Sequence, residues 1–99
     1  MVLMKWRVYI LKSARGYFYV GVTTDVKRRL LEHNGEKKGG AKYTKANRPY
    51  VLVWSRACVS RSDAQAREYA LKQLSHEEKE ALVRKSVAKR EGRSTITGV

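Results

Sequence analysis

At 99 residues the chain has room for one hydrophobic core, and its single cysteine, Cys58, excludes an internal disulfide and a multi-cysteine zinc site. With 22 Lys and Arg against 9 Asp and Glu, the formal charge of +13 exceeds what solubility asks for, so polyanions are attracted and nucleic acid is the expected partner. The run from Val8 to Leu11 is too short to span a membrane, follows Lys5 and Arg7, and precedes no cleavage site, while the lone thiol suits a reducing cytoplasm, with Cys58 a small buried residue.

No long basic amphipathic helix with exposed aromatics is evident, so an anionic membrane is not an expected partner. The charge is concentrated early: residues 1–50 hold 12 basic and 3 acidic side chains, residues 51–99 hold 10 and 6. The positive face belongs mainly to the first half.

In chain order, "KWRVYILKS" and "GYFYVGV" are rich in β-formers and flank "ARG", which predicts a β-hairpin. In the second strand Tyr17, Tyr19 and Gly21 share one face, with Phe18 and Val20 on the other. "TTDVKRRLLEHN" predicts a helix with Thr24 or Asp25 as N-cap, ended by Asn34-Gly35. Val26, Leu30 and His33 form its apolar stripe, and Arg29 and His33, four apart, lie along that stripe's edge.

The segment "GEKKGGAKYTKANRP" predicts a long basic loop carrying Lys37, Lys38, Lys42, Lys45 and Arg48 beside Tyr43, suited to holding a phosphate backbone. "YVLVWSRACV" predicts the third strand. Ser60 or Ser62 opens the next helix through "DAQAREYALKQL", with Ser62 and Gln65 at capping-box spacing; Ser75 and Glu78 open a last one, "HEEKEALVRKSV", striped by Leu82, Val83 and Val87. A domain over residues 1–88 is expected, with residues 89–99 a basic, disordered tail.

Phosphodiester hydrolysis requires a base for the water, a cation over the phosphoryl oxygens and usually a metal on a carboxylate. Tyr9 and Tyr19 are weak bases, but a positive neighbourhood is expected to lower their pKa. Arg29 offers a planar fork for phosphate, and His33 a proton relay or phosphate contact. Carboxylates are scarce. Glu68 stands four residues before Lys72, and spacing alone favours an ordinary surface pair there.

Taken together, "RVYIL", "YVGVT" and "DVKRRLLEH", with the two tyrosines ten apart, resemble the GIY-YIG nuclease superfamily, especially its small single-domain bacterial members. The likeness runs from about Lys5 to Leu82, through "GAKYTKANRPYVLVWS" and "RSDAQAREYALKQLS". The fold expected is α/β: a small antiparallel three-stranded sheet flanked by helices.

The resemblance implies an active site of Tyr9, Tyr19, Arg29 and His33, with Glu68 holding one Mg2+ or Mn2+, and with Gly21 and Thr23 as motif positions. Tyr9 is then the general base, directly or assisted by His33; Tyr19 orients the water or phosphate, and Arg29 stabilises the transition state. Arg7 stands where the motif has Gly, Val8 and Val20 replace its isoleucines, and Val22 occupies a position that is polar in some members. The activity implied is metal-dependent cleavage of nucleic acid, DNA ahead of RNA, in repair or recombination. The alternatives are a binding module with little turnover and an adaptor docking a protein through the helix from Ser75 to Val87.

Overall fold

The computed structural model describes residues 5–36 and 47–86. Three strands, β1 (Trp6–Ser13), β2 (Phe18–Thr23) and β3 (Tyr50–Cys58), form an antiparallel sheet in the order β2-β1-β3. Helix α1 (Val26–His33) lies between β2 and β3 in sequence, and α2 (Arg61–Gln73) and α3 (76–86) follow β3. The expected sheet and its helices are present.

The hairpin turn is held by Ser13, whose Oγ accepts from the backbone N–H of Arg15 and Tyr17 at 3.2 and 3.0 Å. Gly16 sits there at φ +89°, a conformation that side chains disfavour. The register opposes Tyr9 to Gly21 and Leu11 to Tyr19. Alternation therefore puts Tyr9, Leu11, Tyr19 and Gly21 on one face and Val8, Ile10 and Val20 on the other.

Those two faces make two cores. Val8, Ile10, Val20 and the fully buried Cys58 pack with Ala64 and Leu71 of α2 and with Leu82 and Val83 of α3. Tyr9, Leu11 and Tyr50 pack with Tyr19 and with Val26 and Leu30 of α1. The sheet is thus sandwiched, α1 on one side and α2 and α3 on the other. Val8 and Val20 fill the core in place of isoleucine, at 0% and 4% exposure.

A bulge reconciles β3 with both faces. Trp54 opposes Ile10 but Leu52 opposes Leu11, leaving Val53 as the extra residue. Without that extra residue Tyr50 would share the face of Trp54; with it, Tyr50 turns to the α1 side.

Most caps match the sequence. Asp25 is the N-cap of α1, its Oδ1 accepting from Arg28 N–H at 3.0 Å, and Ser75 and Glu78 exchange side-chain to backbone hydrogen bonds of 3.1 and 2.8 Å ahead of α3. Of the two serines expected to open α2, Ser60 is the N-cap. Ser60 accepts from Asp63 N–H at 3.0 Å while Asp63 Oδ2 accepts from Val59 N–H at 3.0 Å, so the helix starts two residues before the Ser62 and Gln65 spacing suggests. Leu82 and Val83 are spent on the core, which removes them from the docking stripe an adaptor would need; Val87 and the tail lie outside the described residues. Among the described residues no helix is long and apolar enough to cross a membrane.

Candidate active site

Tyr9, central on β1 and 1% exposed, directs its ring across its cross-strand neighbour Gly21. A Cβ at position 21 would stand 2.5 Å from Tyr9 Oη and 2.7 Å from Cζ, so only glycine lets the phenol cross the edge strand. That close approach gives Gly21 a physical role beyond its motif position. Its neighbour Thr23 steadies the entry to α1, accepting at Oγ1 from Asp25 N–H at 3.1 Å.

At the far end of α1, His33 is fully buried and its Nε2 lies 3.0 Å from Tyr9 Oη. Tyr19 completes the cluster: its ring centroid is 4.5 Å from that of His33 and 6.4 Å from that of Tyr9. Arg29, one turn before His33, is also within hydrogen-bonding reach of the Tyr9 hydroxyl. Four of the five expected site residues therefore meet around one phenol.

Glu68 reaches the cluster electrostatically. Its charge acts on the Tyr9 hydroxyl, and its side chain is 23% exposed, yet it also pairs with Lys72 at 3.2 Å. The ordinary i,i+4 pair is formed, and the charge of the same carboxylate is felt at Tyr9.

Burial sets the protonation states. It pushes Tyr9 up to about 12, with Tyr19 and Glu68 adding to the rise against the lowering effect of Arg29. The expected depression by a positive neighbourhood is thus reversed, because a phenolate stripped of water costs more than one guanidinium returns. Burial also pulls His33 down to about 4, helped by Arg29 and Arg48 and opposed by Glu32. At neutral pH the pair is a phenol and a neutral imidazole. The imidazole tautomer sets the direction of their hydrogen bond: with the proton on Nδ1, Nε2 accepts from the Tyr9 hydroxyl.

Two residues outside the sequence-based site hold it in place. Glu32, 8% exposed, accepts from Arg29 Nη1 at 2.6 Å and pairs with Arg28 Nε at 3.2 Å. Burial disfavours the Arg29 cation, but Glu32, Tyr9 and Tyr19 together hold it above its ordinary value; Arg29 in turn lowers Glu32. The i,i+3 and i,i+4 spacing to two arginines was the available signal. Asn34 is the second: its amide donates to Tyr50 O at 2.9 Å and accepts from Tyr50 N–H at 2.6 Å, joining the end of α1 to the start of β3.

Arg48 belongs to this scaffold and does not extend from a basic loop as expected. Its guanidinium donates to the backbone carbonyls of His33 at 2.5 Å and Glu32 at 3.4 Å, closing the C-terminus of α1 against Gly35. Lys37, Lys38, Lys42 and Lys45 lie outside the described residues.

Comparison with known proteins bears on this arrangement. The GIY-YIG catalytic domain model matches residues 5–81. The chain belongs to the GIY-YIG family. This GIY-YIG domain is 49% identical over 81 residues to a UPF0213 protein of Desulfotalea psychrophila, covering 82% of this chain and 73% of that one. It is 47% identical over 75 residues to a UPF0213 protein of Halobacterium salinarum, covering 76% and 95% respectively, so the likeness extends beyond bacteria. Two solution NMR structures share its fold. A UPF0213 protein of Bacillus halodurans matches at TM-score 0.50 and 45% identity, covering 79% of this chain and 81% of that one; a protein of E. faecalis matches at TM-score 0.55 and 34% identity, covering 83% and 85%.

GIY-YIG nucleases generally use a divalent metal, and the donors here can be tested for it. Among the described residues no three His, Cys, Asp or Glu side chains converge, which does not suit a zinc or calcium cage. A single carboxylate, Glu68, with the other positions left to water and phosphate, suits Mg2+ or Mn2+. The donor set fits that ion, with Lys72 as the cation it would displace.

Proposed function

We propose that this GIY-YIG domain is a metal-dependent endonuclease, hydrolysing phosphodiester bonds of nucleic acid, DNA ahead of RNA. The observation that carries the reading is the buried Tyr9–His33 hydrogen bond, made over Gly21, addressed by Arg29 and lying in the field of Glu68. A hydroxyl hydrogen-bonded to a neutral imidazole is arranged to pass a proton on.

In the mechanism that follows, Tyr9 Oη accepts a proton from the attacking water as its own proton moves to His33 Nε2. The hydroxide so released forms the new P–O bond while the opposite P–O bond breaks. A substrate phosphate adds negative charge beside an imidazole that burial holds low, with Arg29 and Arg48 helping, and so raises its readiness to take that proton. Tyr19, packed on His33, orients the water or a phosphate oxygen. Arg29 presents a guanidinium aimed by Glu32 to the charge that develops on the equatorial oxygens. Glu68 would hold Mg2+ or Mn2+, which when bound would supply charge neutralisation for the reacting phosphate.

A nucleic-acid-binding module without turnover is the second reading, favoured by the Glu68–Lys72 ion pair, which occupies the carboxylate a metal needs. Incubation of the protein with labelled duplex, branched and single-stranded DNA and RNA, with Mg2+, Mn2+ or chelator, separates the two. Chelator-sensitive cleavage supports the nuclease; salt-sensitive binding without any cleavage supports the module.

A further inference from the structure

Away from the Tyr9 cluster, at the opposite edge of the sheet and on its other face, a groove follows β3 beside the end of α3. One part, of about 410 Å³, is lined by Trp54, Arg56, Leu82, Lys85 and Ser86; an adjoining part, of about 270 Å³, shares Trp54 and Ser86. The indole stands where the two parts meet. The bulge at Val53 is immediately beside it, so the irregularity that turns Tyr50 toward the catalytic side also shapes this groove.

The groove's charge is unneutralised. Arg67, Lys72 and Arg84 pair with Asp63, Glu68 and Glu80, whereas Arg56 and Lys85, both exposed, have no ion pair among the described residues. An anionic occupant would complement them. The chain beyond α3 carries Lys89, Arg90 and Arg93 against Glu91, and a second copy would bring another +13, so neither complements the groove.

We propose that this groove binds an unpaired nucleic-acid strand, with one base against Trp54 and the neighbouring phosphates on Arg56 and Lys85. The chemistry suits a single strand better than a duplex. Base stacking on an aromatic ring needs an exposed base face, which a paired base does not offer, and the two cations that line the same part of the groove as the ring match a backbone running past it. The inference rests on the nuclease reading for its ligand class and adds to it: the preferred substrate carries a single-stranded segment that reaches the sheet edge opposite the cut.

The test uses the full chain with chelator present, so that nothing is cleaved. The probes are an oligothymidylate of about ten nucleotides, a blunt hairpin duplex of similar length, and inorganic polyphosphate. The oligothymidylate should quench tryptophan emission and the duplex should do so much less. Trp54→Phe should remove the quench and weaken single-strand binding roughly tenfold. The double variant Arg56→Ser, Lys85→Ser, whose changes are exposed, should lower the log–log salt slope by about 1.4, on roughly 0.7 per single-strand phosphate contact. Urea unfolding checks that each variant is folded.

Unchanged binding and salt slope in both variants overturns the groove. Polyphosphate binding as tightly as the oligothymidylate, with Trp54→Phe indifferent, overturns the base contact. If the protein cleaves nothing but these losses occur, the groove stands and the nuclease reading falls. If it cleaves branched substrates and the variants bind and cut like wild type, the reverse holds.

Discussion

The protonation state of His33 gives a prediction whose size follows from the structure. Its folded-state pKa of about 4 lies below the ordinary 6.5 because the ring is buried beside Arg29 and Arg48. The unfolded chain therefore binds more protons between these values. The stabilisation is complete above about pH 6.5 and is lost as pH falls toward 4. Linkage between the two values gives a loss of about 2 kcal/mol from about pH 7.5 to about pH 5, approaching about 3 kcal/mol at lower pH. Glu32, held low by Arg29, loses its contribution only below its ordinary value of 4.5, outside the step from about pH 7.5 to about pH 5. Urea unfolding at half-unit pH steps measures the effect in wild type and in His33→Gln, which cannot titrate. Imidazole NMR, after assignment against His76, reads the ionisation directly. A wild-type stability that is flat over the window, an equal slope in His33→Gln, or a His33 pKa near 6.5 refutes the reasoning.

Other substitutions probe the scaffold around that pair. Gly21→Ala should force the Tyr9 ring aside and cost about 1–3 kcal/mol of stability in urea, with the His33 resonances shifting as the hydrogen bond is disturbed. Glu32→Gln should loosen Arg29 and slow single-turnover cleavage roughly ten- to a hundredfold while affecting the dissociation constant less. Neutralising Lys37 and Lys42 together should weaken binding to all duplex sequences alike and flatten the salt slope by about 1.8, on roughly 0.9 per phosphate contact.

What the sequence made legible was local or repeated at a fixed period. The hairpin, the third strand and the caps at Asp25 and Ser75 follow from β-formers, turn residues and box spacing, and the four-residue step from Arg29 to His33 already aims both side chains one way. What it hid depends on contacts between distant segments. The bulge at Val53 leaves no mark in an apolar run, yet it decides which face Tyr50 joins. Arg48 reads as one more cation of a basic stretch until the carbonyls of Glu32 and His33 are found waiting for it. The direction of the Tyr9 shift is hidden from the sequence for a related reason. Net charge is visible in a sequence, but the burial that outweighs it is a property of the packed sheet.

Cleavage by wild type, Tyr9→Phe and Glu68→Gln, compared under single-turnover conditions on one branched DNA at fixed salt, tests the central claim most directly. The ring of Tyr9→Phe still packs over Gly21, and Glu68→Gln removes a negative charge that faces phosphate, so both variants should bind DNA at least as well as wild type. Wild type should show metal-dependent, chelator-sensitive cleavage, and each variant a loss of at least about a hundredfold. Cleavage by both variants at the wild-type rate, or no cleavage by wild type on any substrate with either metal, would contradict the claim.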